Sequence, residues 1–132
     1  MSDLRRRCRR RTKGDRGAAA LELVLIAPVV LAMFMLLAQW AIREQGERAV
    51  SAAAREGAVA SAAWQAAPDA GRRAVADTLG SSGTDLANVE VESARSSTDA
   101  SVTVRAVVPS LIPGVDLAVT STQTAPLEVF VP

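Results

Sequence analysis

At 132 residues the chain has room for one small domain plus an anchor; its hydrophobic content, 49%, is ordinary, but aromatics supply only 3%. It has no His and no Tyr, and Cys8 is its one thiol, which excludes most metal centres, His-based acid–base catalysis and an intramolecular disulfide. The net charge of +1 hides an asymmetry: residues 1–16 hold eight basic side chains against Asp3 and Asp15, residues 43–132 hold seven Arg against eleven carboxylates, and Glu22 stands between them.

Residues 1–17 read as a basic cytoplasmic leader. From Leu23 to Ile42 no residue is charged, and a helix of twenty residues rises roughly 30 Å, the thickness of a bilayer core. Ala18 to Leu21 extend it, so residues 18–42 are the expected transmembrane helix. The Arg cluster in front places the N-terminus in the cytoplasm and the remainder outside it, by the positive-inside rule, with Trp40 at the far interface. A cleaved secretory signal fits less well, because the apolar run is long and meets Arg43 and Glu44 without an A-x-A-like site. The Arg run lacks aromatic interleaving and borders a span, so it reads as topogenic rather than as a nucleic-acid patch. Pro28 is tolerable inside a membrane helix.

Residues 43–67 are expected to continue the helix outside the membrane, because Ala dominates and Pro68 then disfavours helix. Gly46, Val50, Ala53, Gly57, Ala60 and Trp64 form a stripe at spacings of three and four, and Glu44–Arg48 is a helical i,i+4 pair. Ala53, Gly57 and Ser61 stand four apart, a small-residue row that admits another backbone; it serves packing on the protein's own sheet or on helices of neighbouring subunits.

Residues 68–132 are expected to form a small extracytoplasmic α/β domain. Asp69–Leu79 predicts a short helix with Ala70, Ala74 and Leu79 inward and Arg72, Arg73 and Asp77 outward, ended by Gly80–Gly83. The period then changes from 3.6 to 2. Val89 and Val91, then Val102, Val104, Ala106 and Val108, then Leu117 and Val119 alternate with their neighbours, and Ala94–Asp99 and Pro109–Gly114 have lengths suited to antiparallel connections. Leu127–Val131 is an extension or a fourth short strand. The predicted class is α+β, a long helix packed on an antiparallel sheet of three to four strands, plus a short helix; without the helix so small a Val/Ala sheet would be marginal.

Glu22 lies just inside the apolar segment, where an ionised carboxylate is costly and by default has a partner or a role. Counting from a cut between Gly17 and Ala18, it is residue five. A basic leader, Gly, and Glu at that position before a long apolar helix resemble the class III signal of type IV pilins and pseudopilins. The stretch RGAAALELVLIAPVVLAMFMLLAQWAI, followed by Ala53-Ala54-Arg55-Glu56-Gly57-Ala58, resembles TadE-like proteins, the pseudopilin family of the tight-adherence (Flp) pilus. The resemblance covers about residues 16–128, its β part being the less specific; Leu23 stands where Flp-type signals commonly carry an aromatic.

The resemblance implies a pilin-like fold and a single-span protein of the cytoplasmic membrane, processed by a prepilin peptidase between Gly17 and Ala18. Its partners would be other pilins or pseudopilins and the Tad membrane platform proteins. Glu22 would pair with the amine of Ala18 on a neighbouring subunit. On this reading the chain is a minor pseudopilin or assembly component of a Tad pilus or related secretion machine. The alternative is a membrane-tethered ectodomain that binds a protein partner. An enzyme is the weakest reading, since no nucleophile elbow, phosphate loop or metal cluster stands in the sequence, and Ser81–Ser82 and Ser96–Ser97 read as turns. No cofactor, nucleic acid or small-molecule substrate is implied.

Overall fold

A computed structural model describes residues 11–128 of the chain. Most of the basic leader, with Cys8, and the end of the Leu127–Val131 extension lie outside the described residues. The elements run in the order α1 (Arg11–Ala62), α2 (Ala70–Ser81), β1 (Ala87–Arg95), β2 (Asp99–Val108) and β3 (Leu117–Pro126). The α+β class expected from the sequence is the one observed. The chain divides into two units between Ala38 and Gln39, each containing part of α1.

In the first unit, residues 17–37 of α1 are exposed throughout. Leu, Val, Met and Phe side chains on every side of a helix find no cover within the unit, so the segment suits an apolar solvent rather than water. Pro28 lies inside the helix, where it removes one backbone donor.

The second unit holds the sheet. Its order is β1-β2-β3, antiparallel throughout, with β2 central. Along β2, Ala100, Val102, Val104, Ala106 and Val108 are buried and alternate with more exposed neighbours, which is the period of two read from the sequence. They pack on Val50, Ala53, Ala54, Ala58 and Ala62 of α1, on Val75 of α2 and on Val119 and Ala125 of β3. Every buried hydrophobic residue of this core is Ala or Val. Each fully buried Val contributes about 1.5–3 kcal/mol, and the absence of longer side chains lets helix and sheet backbones approach closely. The outer face of the sheet is polar: Thr103 and Thr122 share a 2.8 Å hydrogen bond across β2 and β3, and Arg105 meets Glu92 at 3.3 Å.

Four local expectations are corrected. The helix ends at Ala62 rather than near Ala67, six residues before Pro68, because Gln65 takes φ 53° and turns the chain. The freed carbonyls are bonded from elsewhere: the Glu128 N–H donates to the Ala62 oxygen at 3.0 Å and the Arg95 guanidinium to the Ser61 oxygen at 3.1 Å. With the helix ended, Trp64 leaves the stripe and is 57% exposed, and Ala60 is only half-buried; the buried face runs through Ala54, Ala58 and Ala62 instead. In α2 the inward face centres on Gly71 and Val75, one residue on from Ala70 and Ala74, with Leu79 packed beside it as expected. In β1, Val89 is exposed although Val91 packs on the core, because the register shifts between Ala87 and Glu90 where Asn88 takes φ 50°.

Candidate functional site

The candidate site is α1 itself. Gly17, Ala18 and Glu22 all lie on the helix and are exposed. Ala18 and Glu22 are four residues apart, so they share one face. The apolar stretch that follows carries a mean hydropathy of 2.6 in its most apolar window, and none of that window is buried by the rest of the chain. This helix is long and apolar enough to cross a membrane. Glu22 is therefore an acidic group at the margin of a segment otherwise suited to lipid, where an ionised carboxylate favours a cationic partner over solitude.

Beyond the apolar stretch α1 carries exposed ion pairs, Arg43–Glu47 and Glu44–Arg48, both at 2.9 Å. The second is the pair expected from spacing, and each is worth about 0.3–0.5 kcal/mol in water.

The small-residue row is occupied by the chain's own backbone. Ala53 is fully buried, and Gly57 faces Gly71 of α2. A Cβ at Gly57 would lie 2.7 Å from Val75 Cγ2, 3.1 Å from the Gly71 carbonyl oxygen and 3.2 Å from Val102 Cγ1. Reciprocally, a Cβ at Gly71 would lie 3.0 Å from the Gly57 oxygen and would overlap Ser61 Oγ. Two glycines thus face each other where α1 and α2 cross, with Ser61 beside them. Gly46 plays the same part against the sheet, since a Cβ there would overlap Val108 Cγ2.

Two participants are absent from the sequence reading. Gly71 has no local signal, because its use is set by Gly57, fourteen residues earlier on another helix. Gln39 did have one: it is the single amide side chain between Leu23 and Ile42. It is 91% buried, and its Oε1 accepts the Leu111 N–H at 2.7 Å across 72 residues of sequence. Its Nε2 is buried without a partner among the described residues. Among the described residues no three His, Cys, Asp or Glu side chains gather as a metal site would need.

No curated protein and no solved structure matches the chain. The family model of TadE-like proteins matches residues 17–59, which include Gly17, Ala18, Glu22, the apolar stretch and the Ala53-Ala54-Arg55-Glu56-Gly57-Ala58 segment. Over residues 17–59, the segment that holds the candidate site, the chain is similar to TadE-like proteins.

Proposed function

We propose that the chain is a single-span component of a Tad (Flp-type) pilus or a related secretion machine, acting by helix-mediated assembly with other pilins or pseudopilins and with Tad platform proteins. The observation that carries this reading is the family match over residues 17–59, on a helix that keeps Glu22 at the edge of an uncovered apolar segment. The leader faces the cytoplasm, and the unit that follows the span is extracytoplasmic, which accords with the eight basic side chains before Gly17. A prepilin peptidase cuts between Gly17 and Ala18, freeing an amine one helical turn from Glu22. The Glu22 carboxylate then receives the Ala18 amine of a neighbouring subunit. Two charges that are costly alone in lipid neutralise each other on docking, so subunits are held in register by a contact that exists only in the assembly.

Two experiments test this in cells that contain the assembly system. Intact mass of the membrane-extracted protein is expected to lack residues 1–17; a chain still beginning at Met1 with the peptidase active refutes processing. Glu22→Ala is expected to insert normally but to lose capture of sister pseudopilins and pilus formation. Assembly unaltered by that change would sink the charge-pairing mechanism and favour a tethered binding module.

A further inference from the structure

The connection between β2 and β3 has a composition unlike the other turns. Residues 106–115, AVVPSLIPGV, carry no charge, and Leu111, Ile112 and Val115 are exposed at 47%, 42% and 42%. Its place along α1 is fixed by two contacts. Val108, at its start, packs against Gly46. The Leu111 N–H is bonded to Gln39, four residues before Arg43, the first charged side chain after the span. Four helical residues rise about 6 Å, so Gln39, whose side chain holds the Leu111 N–H, stands that far on the apolar side of Arg43, next to Trp40, itself 66% exposed. Asp116 marks the return to the polar side, one residue before Leu117, which pairs with Val108.

We infer that residues 109–115 form an interfacial foot that enters the headgroup and upper acyl region of the bilayer beside α1. The occupant of this apolar surface is lipid. Non-helical backbone is costly in that region unless its polar groups are bonded internally. Here the Leu111 N–H goes to Gln39, the Ile112 N–H to Ser110 Oγ at 3.0 Å and the Val115 N–H to the Ile112 oxygen at 3.3 Å, while Pro109 and Pro113 have no N–H to satisfy. The loop therefore presents Leu111, Ile112 and Val115 outward with much of its own backbone already bonded. Gln39 also gains a reason: it is the polar side chain that lets a loop share the depth of an apolar helix.

The inference rests on reading Leu23–Ile42 as a span, and the test separates the two. Full-length protein with Cys8→Ser is given a single cysteine by Ile112→Cys, Leu31→Cys or Ser97→Cys. Each variant is labelled with an environment-sensitive fluorophore and reconstituted in phosphatidylcholine vesicles, with nitroxide lipids labelled at the headgroup or deep in the chain. The Leu31 label is expected to be quenched by the deep nitroxide and the Ile112 label, blue-shifted, by the shallow one. The Ser97 label, in the hairpin at the other end of β2, is expected to stay unquenched. An Ile112 label as wet and unquenched as Ser97, with Leu31 quenched, overturns the foot alone. An unquenched Leu31 overturns the span and the foot together. A blue shift at Ile112 that depends on protein density, without nitroxide quenching, assigns the surface to a second copy and also overturns the proposal.

Discussion

Gly57→Ala sets two effects of known sign against each other. Alanine in a helix interior is favoured over glycine by about 1 kcal/mol. At Gly57 the added methyl meets Val75 Cγ2 at 2.7 Å, the Gly71 oxygen at 3.1 Å and Val102 Cγ1 at 3.2 Å. Val75 and Val102 are both fully buried, so neither side chain has free space to move into, and the Gly71 oxygen is backbone. Overpacking of this kind costs about 1–3 kcal/mol, so the steric effect wins and the net loss is about 1 kcal/mol. Gly80→Ala is the internal reference. Gly80 lies in α2, is exposed, and a Cβ there meets nothing within 4 Å, so the same substitution gains about 0.5–1 kcal/mol. For a domain of this size 1 kcal/mol moves the midpoint by about 4–8 °C. Scanning calorimetry of the full chain in detergent is expected to show the midpoint falling for Gly57→Ala and rising for Gly80→Ala. A rise of equal size in both would refute the close crossing of α1 and α2.

Val102→Ala removes two carbons from a fully buried side chain and is expected to cost about 2 kcal/mol in the same scan, with the fold retained. Gly46→Ala, which drives a methyl into Val108, is expected to destabilise where its helix propensity alone predicts a gain; urea titration followed by proteolysis reads the sign. Gln39→Leu leaves the part-buried Leu111 N–H without its acceptor, and faster amide exchange is expected at Leu111 than in β2, with a stability loss of about 1 kcal/mol. Arg48→Gln breaks an exposed i,i+4 pair and is expected to change stability by less than about 0.5 kcal/mol; a loss above 2 kcal/mol would give that pair a role its exposure does not suggest.

The elements legible in the sequence are those whose signal is local. The uncharged run Leu23–Ile42 needs only length and hydropathy, and the alternation of Val102, Val104, Ala106 and Val108 needs only the pleat. The Gly46–Val50–Ala53–Gly57 portion of the stripe follows from helical geometry and is the portion that packs. The Gly17–Glu22 spacing is likewise read directly, because it lies within six neighbouring residues.

The misplacements share one cause, which is long-range contact. Pro68 announces that a helix must stop, but the stop at Ala62 is set where Gln65 turns and where Glu128 and Arg95 reach the last carbonyls. The face of α2 turned by one residue because Gly71 must meet Gly57, and propensity carries no information about a partner helix. Gln39 was visible as a polar interruption, yet only folding brings Leu111 to it. By itself the sequence determined a span-length helix bearing Gly17, Ala18 and Glu22 and a sheet with one apolar face, since periodicity and charge are properties of neighbouring residues. The tertiary structure decided where the helix ends, that Gly57 is closed by Gly71 rather than left open, and that a charge-free loop lies against Gln39, since each depends on atoms brought together from distant parts of the chain.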